Sequence, residues 1–263
     1  MVNILFGNNK GGVGKTYVTV QIAHALAAKG LSVAVVDLDP QANASRQLGW
    51  KFDPAQPVAT ISEAIQNATA GLASQVTVAT QKWEGEETAI DLLPSRHDLE
   101  NRISEAATVG AVRRLVKVLD DWQDHYDVVL IDTPPSLGHL TQLGLAAAHM
   151  VVCVTEPAYD AIEGAIRFKE FVEQHAADLA NPNLRFGGVV VNRVQNVNEH
   201  KFQLEGFRDQ MGDLIFSPTL PTRIAAAEAS AAAAPIAAWG AEHATTYDEL
   251  AQAIIDAAKE ISA

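Results

Sequence analysis

One cysteine, Cys153, stands in 263 residues. A lone thiol excludes a disulfide framework within the chain and any metal cluster ligated by several of its cysteines. Its setting in the run Met150-Val151-Val152-Cys153-Val154 predicts a small core residue on a buried strand. Long apolar stretches are missing too, since none approaches the ~18–20 residues of a membrane-spanning helix. The N-terminus lacks a signal-peptide pattern, and a cytosolic protein is expected. Positive charge is scarce: 19 Lys and Arg face 32 Asp and Glu, for a net charge of −13. That balance excludes a broadly basic face and confines any nucleic-acid contact to a local patch.

What is present is a 48% hydrophobic composition, enough for a full core. Apolar runs alternate with helical segments along the chain, which predicts one α/β domain over residues 1–263. Its expected core is a mostly parallel, twisted sheet flanked by helices. Strands are expected at residues 2–6, 31–36, 89–93, 128–131, 150–154, 186–191 and 214–220, the last interrupted by Pro218. Helices are expected after Thr16 up to Gly30, and at 61–68, 99–107, 111–122, 140–148, 200–211 and 247–261. The alanines at 231–234 read as helix or loop filler. Residues 50–87 carry little pattern.

The first chemical landmark is Lys10-Gly11-Gly12-Val13-Gly14-Lys15-Thr16, set between an apolar strand and a helix. Glycines there let successive backbone N–H groups converge on an anion without Cβ clashes. In this strand–turn–helix context the loop reads as a phosphate cradle, with Lys15 at the β/γ-phosphates and Thr16 ligating Mg²⁺. Asp37 and Asp39, in Asp37-Leu38-Asp39-Pro40-Gln41-Ala42-Asn43, arrive at the C-terminal edge of the second strand, where ligands of open α/β sheets bind. The plainer reading makes them acids capping a loop. Asp132 ends a third apolar strand, the arrangement that holds Mg²⁺ through water in phosphate-loop enzymes. Asn192 ends another; it serves either to read adenine's edge or to close an Asx turn.

The strict pattern G-x-x-x-x-G-K-T fails, because its first position is Asn9. The lysine directly before two glycines resembles instead the deviant Walker A loop of the ParA/MinD ATPases, and the resemblance extends over nearly the whole chain. Asp37-Leu38-Asp39-Pro40-Gln41-Ala42-Asn43 is similar to that family's switch I, and Asp132-Thr133-Pro134-Pro135-Ser136-Leu137-Gly138 to its switch II. Leu220-Pro221-Thr222-Arg223 through Pro235-Ile236 is similar to its I-P…E-A…P-I block. The resemblance implies an ATPase using ATP and Mg²⁺, with weak intrinsic activity. Catalytic roles fall on Lys10, which crosses to the partner's nucleotide, on Lys15, and on Asp39, which positions the attacking water. Nucleotide contacts fall on Gly11, Gly12, Val13, Gly14, Lys15, Thr16, Tyr17, Asn192 and Pro221, and the metal on Thr16, Asp37 and Asp132. It further implies an ATP-bound homodimer, non-specific DNA binding with nucleoid association, and a ParB-like activator.

Two positions depart from the family. Tyr17 replaces a usual threonine near the α-phosphate, where backbone N–H groups can still serve. Ala225 stands where relatives often carry a DNA-contacting arginine, leaving Arg223 as a nearby substitute. A DNA patch assembled from Arg167, Lys169, Arg193, Lys201, Arg208 and Arg223 competes with the simpler reading of solvated helix faces. A protein cargo in place of DNA fits the same residues. A MinD-like membrane mode requires a basic amphipathic tail, but residues 254–263 offset one lysine with acids, so no membrane partner is expected. A nitrogenase-type electron carrier needs cysteines the chain lacks. A dehydrogenase fits the spacing from the glycines to Asp37, but its G-x-G-x-x-G breaks at Tyr17.

Overall fold

The computed structural model describes residues 1–262, and Ala263, the last residue of the tail weighed above, lies outside them. Strands β1 (Val2–Gly7), β2 (Val33–Asp37), β3 (Val78–Ala79), β4 (Ile90–Leu93), β5 (Val128–Asp132), β6 (Met150–Thr155) and β7 (Arg185–Val191) form one sheet in the order β3-β4-β2-β5-β1-β6-β7. Every neighbouring pair is parallel except β3 with β4. The strands read as unbroken apolar runs because both faces are covered. Alternate residues enter opposite cores: Ile4 and Phe6 join Val33, Val35 and Leu130 on one side. Leu5 joins Ala34, Val36 and Ile131 on the other.

Ten α-helices cover the two faces among the described residues: α1 (Lys15–Ala28), α2 (Asn43–Gln47), α3 (Ile61–Asn67), α4 (Ala73–Val76), α5 (Arg114–Val118), α6 (His139–Ala147), α7 (Tyr159–His175), α8 (Asn198–Met211), α9 (Ile224–Ala232) and α10 (Ala241–Ser262). Helix α3 starts on a capping box, with the Thr60 side chain accepting from the first turn and Glu63 reaching back to the Thr60 N–H at 2.9 Å. Helices α1, α2 and α10 bury their apolar faces on one side of the sheet. Helices α3 and α5 to α8 do so on the other. Cys153 is fully buried on β6, and burial pushes its thiol's pKa up.

Four expectations need correction. Residues 99–107 are not an α-helix, because His97–Ala107 winds as a 3₁₀ stretch whose buried residues are Leu99 and Arg102. Three residues per turn put those two on one line, which an α-helix does less well. Residues 111–122 break into two 3₁₀ turns around α5, entered through Gly110 at φ +75°. The strand expected at 214–220 reduces to isolated bridges, Val189 with Ile215 and Val194 with Pro221. Pro218 and Pro221 lack the N–H that a continuous ladder requires. The closing helix also begins earlier than expected, at Ala241, directly after Gly240 at φ +145°. No helix among the described residues is long and apolar enough to cross a membrane.

Candidate nucleotide and metal site

The parallel register builds the site. Asp37 pairs with Asp132 across β2 and β5, and Phe6 pairs with Asp132 across β1 and β5. The C-terminal ends of three adjacent strands thus present two carboxylates beside the loop that leaves β1. Gly14, at φ +89°, is the residue preceding α1, so the helix's free N–H groups open into this loop. A Cβ on Gly14 would lie 2.3 Å from Asn192 Nδ2, and Gly12 holds φ +84°. Gly14→Ala is therefore expected to weaken nucleotide binding at least ~10-fold, read by titration with a fluorescent ATP analogue. The clash and the left-handed backbone act together at that position.

Three partners brace the loop. Asn192 Nδ2 donates to the Val13 carbonyl at 3.0 Å. Arg193 Nη1 donates to the Gly12 carbonyl at 2.5 Å, with Arg193 itself at φ +57°. Asn8 donates to the Val154 carbonyl at 2.7 Å and accepts from the Lys10 N–H at 2.9 Å. Asn8 and Arg193 were not assigned to the nucleotide site from sequence. The signal for Arg193 was its place directly after a strand-ending asparagine.

Lys15 is buried, and its Nζ donates back to the Lys10 carbonyl at 3.4 Å. Burial lowers its pKa, opposed by the charges of Asp132 and Asp39. Asp132 is fully buried; Thr16 and Thr19 hydroxyls approach it, the latter 3.5 Å from Oδ1, while Oδ2 has no hydrogen-bond partner. Burial raises its pKa well above the carboxylate range, and the Asp37 charge raises it further. Asp37 is pushed up to about 6, chiefly by burial, although it accepts from the Ser45 N–H and Oγ at 2.8 Å and from the Asp39 N–H at 3.1 Å. Two buried acids in register, one with an orphaned oxygen, suit a divalent cation, whose charge would relieve their repulsion. Thr16, Asp37 and Asp132, the residues expected at the metal, are thereby brought together.

Asp39 Oδ1 accepts from the Gln41 N–H at 2.9 Å, which fixes the carboxylate, and Ser95 Oγ donates to the Asp39 carbonyl at 2.8 Å. Ser95 also donates its N–H to Ser45 Oγ at 3.0 Å, so one serine pair supports both switch I acids. Gly11 faces switch II, its would-be Cβ 3.6 Å from Pro135. Lys10 stands at the surface, 3.7 Å from Asp160, with nearly half of its side chain exposed.

Beside the loop opens a cavity of about 330 Å³ lined by Gly14, Tyr17, Asn192, Pro221 and Tyr247 among others. The Tyr17 and Tyr247 rings meet edge to face, 6.2 Å between centroids. A volume of this size with amide groups at one wall fits a nucleoside. Tyr17, Asn192 and Pro221, expected as nucleotide contacts, line this cavity together with Gly14 of the loop.

The family model described as an AAA domain matches residues 1–186. The chromosome-partitioning ATPase Soj of Thermus thermophilus is 33% identical over 264 residues, covering 98% of this chain and 96% of Soj. The chain belongs to the ParA/MinD-type ATPases. A solved structure of cobyrinic acid a,c-diamide synthase from Mycobacterium smegmatis, with bound ATP analog and magnesium, is 27% identical. It superposes with TM-score 0.80, covering 98% of this chain and 96% of that one. Apo McdA of Cyanothece reaches 0.84 at 19% identity, covering 97% of this chain and 99% of that one, and shares the fold.

In this ParA/MinD-type chain the six basic residues grouped as a DNA patch are dispersed. Arg167 pairs with Glu163 at 3.7 Å and Lys169 with Glu173 at 2.8 Å, each within α7. Arg193 and Arg223 line the cavity beside the loop, while Lys201 and Arg208 lie on α8. Ala225 is half-buried on α9 against the α1–α10 core.

Proposed function

We propose that this chain is an ATP-dependent partition or positioning ATPase, forming a homodimer around ATP that binds DNA without sequence preference. Hydrolysis, stimulated by a ParB-like activator, releases the DNA. The carrying observation is the Asp37–Asp132 register beside the Gly14-capped loop, in a chain 33% identical to a chromosome-partitioning ATPase over nearly its full length. The loop's N–H groups and Lys15 hold the β/γ-phosphates, and Tyr17, Asn192 and Pro221 hold the nucleoside. Thr16 and Asp132 hold Mg²⁺ and Asp37 supports it; when bound, the ion offsets phosphate charge during transfer. Asp39, oriented by Gln41, positions the attacking water. It is a weak base, so intrinsic turnover is slow until an activator assists. Lys10, exposed at the groove it shares with Tyr159 and Arg167, reaches the partner's phosphates across the dimer.

The test is binding to random-sequence duplex DNA with ATP, with ADP and without nucleotide, at about 50 and 200 mM salt. Binding with ATP alone is expected, weakening by about tenfold or more between the two salts as phosphate counterions compete. Equal binding in all three states would remove the nucleotide switch, and no binding while ATP still drives dimerisation would remove DNA as the track and favour a protein cargo.

A further inference from the structure

Positive charge is scarce in this chain, yet a patch of it gathers beside switch I. Gly49, at φ +81°, follows α2 and turns the chain so that Trp50 donates its N–H to the Ser45 carbonyl at 2.9 Å. Trp50, Lys51 and Phe52 thereby come back beside Pro40-Gln41-Ala42. The Trp50 and Phe52 rings lie 6.4 Å apart between centroids, and the Arg96 guanidinium sits 4.6 Å over the Phe52 ring. Arg96 is itself anchored by Glu63 and, at 2.6 Å, by Asp98. Arg46 Nη1 donates to the Gln41 carbonyl at 3.0 Å and its Nη2 to the Asn43 side chain, which fixes the guanidinium against switch I. Arg46, Trp50, Lys51, Phe52 and Arg96 line one cavity of about 320 Å³, within the range of small-molecule sites.

We propose that this cavity is a binding site for a phosphate monoester carried on an aromatic body, and that its occupancy regulates ATP turnover. Among the described residues, no Asp or Glu lines it. The balance of charge around it sets the charge of the ligand. Arg96 is neutralised by its two carboxylates, and His97 lies 3.6 Å from Glu100. Arg46 and Lys51 are exposed and have no carboxylate partner among the described residues. Two uncompensated cations at one cavity, in a chain of net charge −13, favour a dianion. A phosphate monoester carries about 1.5 to 2 negative charges at pH 7 and accepts from both guanidinium and ammonium groups. Trp50 and Phe52 add aromatic surface for a ring borne by that phosphate, a contact that inorganic phosphate cannot make. The regulatory half of the proposal rests on the ATPase reading above. Gln41 and Ser95 line the same cavity, and they hold Asp39 by its carboxylate and by its carbonyl respectively. A ligand that draws on either brace moves the group that positions the attacking water.

The test titrates the full chain, held at saturating ADP and Mg²⁺ so that the phosphate loop is filled, with phenyl phosphate, inorganic phosphate and phenol at constant ionic strength. The readout is the Trp50 indole ¹⁵N–¹H shift, identified by its loss in Trp50→Phe. A saturable shift with phenyl phosphate is expected, at least tenfold tighter than with inorganic phosphate, and none with phenol. Lys51→Glu, at an exposed position without an ion-pair partner, should weaken it about tenfold or more, with thermal unfolding confirming that the variant is folded. At saturating ATP, phenyl phosphate should change wild-type turnover at least twofold, with no such response in Lys51→Glu. The site is overturned by the absence of a saturable shift, by equal affinity for inorganic phosphate or phenol, or by a shift that Lys51→Glu leaves undiminished. A saturable shift that leaves measurable turnover unaltered overturns the regulation. Absent turnover beside an intact Trp50 response would instead overturn the ATPase reading and support the site alone.

Discussion

Lys15→Ala is expected to lower ATP turnover by about 10²–10³-fold or more, the scale seen when one preorganised charge-stabilising group is removed. The reason lies in its surroundings. Lys15 is buried at the start of α1, where its ammonium is the positive charge set among Asp132 and Asp39. Burial lowers its pKa while those two charges hold it up, so its ammonium is favoured by the anionic groups around it. Phosphates arriving at the loop add to that setting, and the lysine's contact with the Lys10 carbonyl at 3.4 Å is long enough to exchange for them. Alanine would leave the phosphate charge to the loop N–H groups alone. Phosphate release at saturating ATP, with nucleotide affinity by calorimetry, separates lost binding from lost chemistry. Wild-type turnover in the variant would remove the loop from the catalytic site.

Much of this site was legible because its chemistry is local. Gly11, Gly12, Gly14, Lys15 and Thr16 are contiguous, and their strand–turn–helix context follows from apolar periodicity on either side. Asp37 and Asp132 could be read as strand-terminal acids, since β2 and β5 are short apolar runs with the acid last. That they stand opposite each other was not readable, because register across parallel strands is set by packing on both faces and not by either run alone. The bracing groups were hidden for a related reason. Arg193 reaches Gly12 over a separation of 181 residues, and Ser95 reaches Asp39 over 56. The failures in secondary structure have local causes. Residues 97–107 carry apolar spacing compatible with either helix type, and the buried Leu99–Arg102 pair selects the tighter one. At 214–220 the apolar pattern of a strand was present, but proline denied it the ladder.

Asp132→Asn is expected to move stability in opposite directions with and without Mg²⁺–ATP. In the nucleotide-free chain, Asp132 and Asp37 are fully buried and paired across β2 and β5, with Asp39 nearby. One lysine faces these three acids. Asp37 and Asp132 each carry a pKa raised chiefly by burial, so the folded state binds protons more readily than the unfolded chain. For Asp37, about 6 against an ordinary 3.8, the destabilisation is absent below the ordinary value and complete above about 6, on the order of 3 kcal/mol. The melting temperature of the nucleotide-free wild type should therefore rise as pH falls from 7.5 to about 5. Asparagine at 132 removes one charge while its amide oxygen keeps the acceptor role toward Thr19. The Oδ2 it replaces has no partner to lose. A gain of about 1–2 kcal/mol follows at pH 7.5, or some 2–8 °C at ~2–4 °C per kcal/mol, with a flatter pH dependence as Asp37 loses its charged neighbour. With Mg²⁺–ATP the order reverses. At 100-fold excess over its dissociation constant a ligand adds about 2.7 kcal/mol, and the variant should forfeit most of that because the carboxylate that would hold the ion is gone. Thermal unfolding of both proteins across pH, with and without Mg²⁺–ATP, reads all of these shifts in one series. An Asp132→Asn protein that melts lower than wild type without nucleotide, yet gains as much from Mg²⁺–ATP, would place the metal elsewhere.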